Sequence, residues 1–280
     1  MGERSSPRPA GQVEEPDRLS LRLLGPARIE RNGQAIRGLA SGKTLALLAY
    51  LIAAGRKTVR RQSSARGQPV PREHLADVFW QDLPTSRGRA NLSWTMHKIS
   101  SLLPGCLGAD RETVCFCRPE GCWLDLDAFE RDAARSPARS ESTALQSAAL
   151  FATSLSKAAA LYRGEFLEGL ALDGCVDFEL WLVGERERWR QRAESVLGEL
   201  IACHRSRGAC DEALRWARQL LALAPWREGT HRTIMRLLAE SGRRGAALAQ
   251  YEACRRALEA ELGVAPAAET DALRAQIARV

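Results

Sequence analysis

Residues 71–103 read PREHLADVFWQDLPTSRGRANLSWTMHKISSLL, and they decide the fold because they predict two helices separated by a turn. Pro71 is predicted in the first turn of a helix over Arg72–Trp80, where its missing N–H costs no hydrogen bond. Leu83-Pro84-Thr85 then breaks the pattern, and a second helix follows over Ser86–Leu103. The positions expected to face the core are Leu75, Val78, Phe79, Leu92, Met96, Ile99 and Leu103.

The residues before this stretch predict a small antiparallel sheet and one more helix. Leu19–Leu24 and Ala27–Ile36 are short apolar or alternating runs, and Asn32-Gly33 supplies the positive-φ pair of a two-residue hairpin turn. Ser41 is the predicted N-cap of a helix through Ala54, which Gly55 is expected to end.

Two strand-like pieces follow the helices, Thr113–Cys117 and Cys122–Leu126. The turn sequence Arg118-Pro119-Glu120-Gly121 joins them and predicts a hairpin. An order of sheet, three helices and hairpin is that of a winged helix-turn-helix with an added N-terminal sheet.

From about residue 131 the strand pattern stops and a helical repeat follows. A shift of 34 residues matches Leu200 with Ile234 and Gly208 with Gly242. This is the period of tetratricopeptide (TPR) repeats, whose helix pairs bury their apolar faces against their neighbours.

The fold class we expect is mainly α, with an N-terminal winged helix-turn-helix containing small β-sheets and a C-terminal all-α TPR-like domain. A chain of 280 residues suits two domains, which we place at residues 18–130 and 131–280, after a disordered leader at residues 1–17. The leader lacks the apolar core of a secretory signal, and apolar runs such as Leu45–Ala54 are too short to span a bilayer. We therefore expect a cytoplasmic, nucleoid-associated protein that binds no membrane and keeps its thiols reduced.

Positive charge is concentrated in the first half of the chain. The net charge is +7, and no acidic residue occurs between Glu30 and Glu73. This block includes a basic, polar loop predicted at Arg56–Gln68. Such a block attracts polyanions by counterion release, although a solvated loop would have the same composition.

Several long motifs occur in an order that resembles a known family. They are KTLALLAYLIAAG (43–55), PREHLADVFWQDLP (71–84), RANLSWTMHKISSLL (89–103), ALYRGEFLEGL (160–170) and WLVGERERWRQRAESVLGELI (181–201). The chain resembles the SARP-type regulators, the antibiotic regulatory proteins of actinomycetes and their relatives, which pair an OmpR-like winged helix with a bacterial transcriptional activator domain. The resemblance implies a transcriptional activator whose partners are double-stranded promoter DNA, RNA polymerase subunits and a second copy on DNA.

In a winged helix the third helix enters the major groove, where all four base pairs can be distinguished. The residues expected to face DNA are Arg87, Trp94, His97 and Lys98. Arg89 is expected to hold a phosphate near the start of the helix. A merely solvated helix face is the alternative, which an exposed tryptophan disfavours.

Further cations are expected to support this contact. Arg118, at the tip of the predicted hairpin, is suited to the minor groove, although an exposed turn arginine is an equal alternative. Arg60 and Arg61, with Arg66, are expected to contact phosphates from the basic loop, if it is not simply solvated.

Other kinds of site are disfavoured. Gly38–Thr44 has three residues between its glycines where a phosphate loop needs four, so helix capping is preferred, with Lys43 directed to a DNA phosphate. The cysteines at 106, 115, 117 and 122 lack paired CxxC spacing, so buried thiols are preferred to zinc. With no catalytic motif, cofactor or metal expected, we predict that the chain is not an enzyme.

The sequence thus predicts a sequence-specific DNA-binding transcription regulator that recruits RNA polymerase. Two alternatives stay open. One is a protein-interaction scaffold whose winged helix no longer binds specific DNA, and the other is a nucleotide-dependent switch that uses Gly38–Thr44.

Overall fold

The computed structural model describes residues 18–39, 42–59, 67–134 and 144–279. The chain divides into two compact units: unit 1 comprises Met1–Leu21 and Arg28–Trp123, and unit 2 comprises Arg22–Ala27 and Leu124–Val280. Unit 1 is a winged helix and unit 2 is dominated by helices, which confirms the predicted fold class. The domain boundaries placed at residues 17 and 130 stay predictions.

The described residues form short strands, most of them before residue 125, and helices in both units. The strands are β1 (Leu19–Arg22), β2 (Gly25–Pro26), β3 (Arg28–Arg31), β4 (Gln34–Ala35), β5 (Val70–Pro71), β6 (Leu107–Ala109), β7 (Thr113–Phe116), β8 (Trp123–Leu124) and β9 (Phe166–Glu168). The helices are α1 (Gly42–Val59), α2 (Arg72–Trp80), α3 (Thr85–Leu102), α4 (Asp125–Ala133), α5 (Ala144–Leu161), α6 (Val176–Ser206), α7 (Cys210–Leu223), α8 (Glu228–Glu240), α9 (Arg244–Leu262) and α10 (Ala268–Arg279). None of the described helices has an apolar stretch long enough to cross a bilayer.

Unit 1 contains two small sheets, in the strand orders β4-β3-β1-β8 and β5-β7-β6. The turn between β3 and β4 has the predicted geometry, because Asn32 and Gly33 both have positive φ, at 51° and 78°. Its strands pair antiparallel, with Glu30 opposite Ala35.

The helices of unit 1 bury the predicted apolar face. All seven positions expected to face the core in α2 and α3 are buried. Helix α2 has the predicted bounds, with Pro71 as its N-cap residue rather than in its first turn, and α3 lies one residue earlier than expected.

The prediction that Gly55 ends the first helix is wrong, because α1 continues to Val59. A Cβ at Gly55 would lie 3.1 Å from the Cα of Gly67, so this glycine allows two backbone segments to approach. The predicted N-cap, Ser41, lies outside the described residues, and so do residues 60–66 of the predicted basic loop.

The predicted hairpin is also wrong. Strand β7 pairs antiparallel with β6, with Ala109 opposite Val114, whereas β8 belongs to the other sheet. The predicted strand Cys122–Leu126 stops at Leu124, because Asp125 and Asp127 stand in the first turn of α4, where acidic side chains favour a helix. The hairpin of the wing is therefore β6–β7, with its tip at residues 110–112.

Unit 2 includes a short segment from near the start of the chain. Strand β2 pairs parallel with β9, with Gly25 opposite Phe166. The buried Asp125 carboxylate accepts hydrogen bonds from the N–H groups of Leu23 and Leu24, at 2.7 and 2.9 Å. These bonds fasten the segment to the start of α4.

The helices of unit 2 show the predicted 34-residue period in their backbone. Gly208 and Gly242 have nearly the same positive φ, at 69° and 72°. The N–H groups of Ala209 and Arg243 close matching turns onto the carbonyls of His204 and Leu238. Each turn reverses the chain between successive antiparallel helices, as in helical-repeat proteins.

Candidate nucleic-acid interface

Helix α3 is held by close packing against α2. The N–H of Leu83 bonds the carbonyl of Trp80, which closes the turn between the two helices. Gly88 is buried in α3, and a Cβ there would lie 3.5 Å from the Cβ of Trp80 and 3.8 Å from that of Ala76. One face of α3 is thereby fixed in the core.

The other face of α3 is polar and cationic. Its 18 residues include no Asp or Glu, and Arg87, Trp94 and His97 are exposed, while Lys98 is half-buried. Trp94 is 64% exposed, which is unusual for so large an apolar side chain. The structure therefore brings the four residues predicted to face DNA onto one side of a helix.

Trp94 and Lys98 are held together within this face. The Lys98 Nζ lies 5.5 Å from the centroid of the Trp94 ring, within the range of a cation–π contact. Since these residues are one helical turn apart, the contact orders both side chains at the surface. The result is a flat apolar ring with a cation held beside it.

Arg89 stands at the edge of this face and is already engaged. Its Nη2 lies 2.9 Å from Glu73 Oε1, and both side chains are more than half exposed. Exposed pairs of this kind contribute only about 0–1 kcal/mol, so a phosphate can compete with Glu73 for the guanidinium. The predicted phosphate contact of Arg89 stays a prediction.

A cleft of about 480 Å³ runs between α3, the start of α2 and the β6–β7 hairpin. Three arginines and two glutamates line it: Arg72, Arg89, Arg111, Glu73 and Glu112. The Nη2 of Arg72 approaches Met96 Sδ at 3.7 Å. The cleft therefore lies between the edge of α3 at Arg89 and the tip of the hairpin at Arg111.

The hairpin tip carries a cation that the sequence analysis missed, Arg111. Asp110 shapes the tip, because its carboxylate accepts from the N–H groups of Glu112 and Thr113 and from the Thr113 hydroxyl. The hydrogen bonds from Thr113 and Glu112 hold the pKa of Asp110 below its usual value. The sequence Asp-Arg-Glu-Thr at 110–113 is typical of a side-chain-capped turn, and it could have indicated that Arg111 lies at a hairpin tip.

Arg118 is not at a hairpin tip. Its Nε and Nη2 both donate to the carbonyl of Cys122 at 3.1 Å, which braces the loop that follows β7. Its contact with DNA stays a prediction. Arg60 and Arg61 lie outside the described residues, as does Arg66.

Lys43 is not directed to a phosphate, contrary to the expectation from sequence. Its Nζ donates to the carbonyl of Phe79 at 2.6 Å and lies 5.3 Å from the centroid of the Trp80 ring. The ammonium group thus caps the carboxyl end of α2, where a cation is favourable. The lysine that a phosphate loop at Gly38–Thr44 would need is engaged elsewhere.

The described residues contain no group of three or more His, Cys, Asp or Glu side chains arranged to hold a metal. Cys115 and Cys117 share one face of the strand region, as predicted, with their sulfurs 3.9 Å apart. The most buried histidine is His231, whose ring nitrogens contact the Pro225 carbonyl and the Gln250 amide.

Comparisons with known proteins give three findings. Residues 124–278 match the family model of the bacterial transcriptional activator domain. The chain is 29% identical to the regulatory protein AfsR of Streptomyces griseus over 271 residues, which covers 94% of this chain and 25% of that protein. It therefore spans about a quarter of the length of this relative.

The fold is similar to that of Mycobacterium tuberculosis EmbR, solved in complex with a low-affinity phosphopeptide. The TM-score is 0.69 at 21% identity, covering 94% of this chain and 65% of that chain.

Proposed function

Because the chain belongs to the family of transcription regulators defined by the bacterial transcriptional activator domain, we propose that it binds promoter DNA sequence-specifically and activates transcription. The predicted SARP resemblance is confirmed by the same match and by the similarity to AfsR. The observation that carries the proposal is the exposed face of α3, which combines three cationic or donor side chains with an exposed tryptophan and includes no carboxylate.

Helix α3 reads the major groove. Arg87 and Lys98 supply donors for guanine edges or phosphates, and His97 donates to either. Trp94 supplies a rigid apolar surface for sugars or a thymine methyl group. The absence of acidic residues from α3 removes the repulsion that a carboxylate would meet beside the phosphate backbone.

The hairpin and its cleft hold the phosphate backbone. Arg111 at the tip and Arg89 at the edge of α3 line the same cleft, so both can reach one stretch of DNA backbone. Arg60, Arg61 and Arg118 add contacts that raise affinity without specifying sequence. The chain acts on nucleoid DNA in the cytoplasm.

Unit 2 makes the protein contacts of the regulator, with RNA polymerase subunits and with a second copy on DNA. Val176, Leu180 and Val183 support this assignment, since they are 58–68% exposed and lie about one turn apart on α6. Exposed apolar groups in register on one helix are typical of protein-binding surfaces. We place the working boundaries at residues 18–130 for DNA binding and 131–280 for these contacts, after a leader at residues 1–17.

The test is DNA selection from a random-sequence pool by the full chain at two salt concentrations. Arg87→Ala/Lys98→Ala is compared with Arg218→Ala/Arg236→Ala, which removes the same charge from exposed positions of unit 2. We expect an enriched motif for the wild type, about 100-fold weaker binding of that motif by the α3 variant, and unchanged binding by the control.

Weak and steeply salt-dependent binding without enrichment, equal in all three proteins, would contradict the proposal. It would leave only nonspecific phosphate attraction and favour the protein-interaction scaffold instead.

A further inference from the structure

We propose that Cys115 and Cys117 form a two-thiolate binding site for a soft monovalent cation, Cu(I). The two residues alternate along one chain segment at the end of β7, so their side chains project from the same face. Their sulfurs are 3.9 Å apart. Cys115 is buried and Cys117 is half-buried.

The strand opposite the thiols supports this pairing. Gly108 pairs with Cys115 across the β6–β7 ladder, and a Cβ there would lie 2.9 Å from Cys115 Sγ and 2.7 Å from Cys117 Sγ. Its φ is not in the left-handed region, so the backbone does not require glycine. A glycine inside a strand weakens the strand and often marks a place where another group approaches closely. Here the missing side chain leaves space for the two sulfurs.

The distance suits a shared metal ion. An ion midway between sulfurs 3.9 Å apart would lie about 2 Å from each, so a small outward movement reaches the metal–thiolate distance of about 2.3 Å. Binding replaces two thiol protons with one cation: each S–H loses its proton to solvent, and each thiolate donates a lone pair to the ion. No oxidation or reduction is involved.

The number of ligands selects the cation. Structural zinc is held by four protein ligands, and no group of three or more candidate ligands occurs in the described part of the chain. Thiolates prefer soft ions, among them Cu(I), and Cu(I) forms stable complexes with as few as two sulfur ligands. The site therefore fits Cu(I) better than Zn(II), and its occupancy does not depend on DNA binding.

The test is an anaerobic titration of the reduced full chain with Cu(I) in competition with a chromogenic Cu(I) chelator. Cys115→Ser/Cys117→Ser is compared with Cys203→Ser/Cys210→Ser, which removes the same number of cysteines from half-buried positions of unit 2. We expect the wild type and the control to take one equivalent from the chelator, and the Cys115/Cys117 variant to take none.

A second variant changes the geometry of the site without changing the number of cysteines. Gly108→Ala keeps all eight cysteines but places a Cβ against both sulfurs, and it should weaken Cu(I) binding by roughly tenfold. Circular dichroism verifies that each variant is folded. Equal Cu(I) uptake by the wild type and the Cys115/Cys117 variant, or tighter retention of Zn(II) than of Cu(I) by this pair, would overturn the proposal.

Discussion

Helices α3 and α6 both carry several cations, but they use them in opposite ways. In α6, Arg190 bonds Glu187 and Glu194, and Arg188 bonds Glu185 at 2.9 Å. Among the described residues, Arg87 and Lys98 of α3 form no ion pair. Cations that are satisfied internally stabilise a fold, whereas cations left toward solvent on a helix without carboxylates are available to an external anion.

Arg186 on α6 gives the largest expected effect on the structural side of this comparison. Its guanidinium donates to the backbone carbonyls of Phe166, Leu167 and Leu170 at 2.9–3.1 Å. We expect Arg186→Met to lower the free energy of unfolding by roughly 3 kcal/mol, because three acceptors lose a charged donor. Urea denaturation measures the change.

The matched control is Arg192→Ala, an exposed arginine on the same helix, which should change stability by less than about 0.5 kcal/mol. If the two variants unfold at the same urea concentration, the guanidinium of Arg186 does not hold β9.

Asp125 extends the comparison to a buried charge that opposes folding when it is ionised. Burial raises its pKa to about 6, against the hydrogen bonds from Leu24 and Leu23 and the charge of Arg163, which lower it. A raised carboxyl pKa means that the folded chain holds the proton longer, so its stabilising effect is full below the unfolded pKa and is lost as pH rises toward 6.

Asp125→Asn removes this titration while keeping an oxygen acceptor for the two N–H groups. Relative to the wild type, the variant should gain roughly 2–3 kcal/mol of stability between pH 4 and pH 7. Unfolding free energies at the two pH values measure the difference. Parallel pH dependence of the two proteins would mean that Asp125 titrates normally in the fold.

Periodic patterns were predicted more accurately than pairings or special positions. The bounds of α2 follow from its apolar spacing and its flanking prolines, which are local signals. Strand β6 is only Leu-Gly-Ala and has no alternation, so its pairing with β7 was not visible in sequence. Gly55 was misassigned because its packing partner, Gly67, is distant in the chain.

The residues of the candidate DNA interface show the same difference between local patterns and long-range pairings. The exposed face of α3 could be predicted from helical spacing alone, and the structure places all four residues there. Arg111 was missed because its place at a hairpin tip depends on the pairing of β6 with β7. Arg118 was misplaced for the same reason.

Arg87 tests the other half of the comparison between α3 and α6, in which a cation exposed on α3 binds DNA and does not stabilise the fold. Arg87→Ala should lower affinity for the selected DNA motif about tenfold and change the free energy of unfolding by less than about 0.5 kcal/mol. Arg186→Met should do the reverse, with normal DNA affinity under conditions where it is folded. For both variants, fluorescence anisotropy measures DNA affinity and urea denaturation measures the free energy of unfolding. If Arg87→Ala lowers the free energy of unfolding as much as it lowers the free energy of DNA binding, Arg87 is a structural residue and not a DNA contact.

Glu73 gives the smallest expected effect and tests Arg89, which pairs with Glu73 in the fold and is proposed to bind a phosphate of DNA. Glu73→Gln removes the partner of Arg89 and one negative charge from the cleft that Arg111 also lines. We expect DNA affinity to rise about threefold, since an exposed ion pair contributes less than about 1 kcal/mol and the freed guanidinium meets a phosphate instead. Glu252→Gln, which breaks the exposed pair with Arg255 on α9, is the control and should leave affinity unchanged. An affinity that does not rise, or rises equally in both variants, would mean that Arg89 remains a structural cation like those of α6.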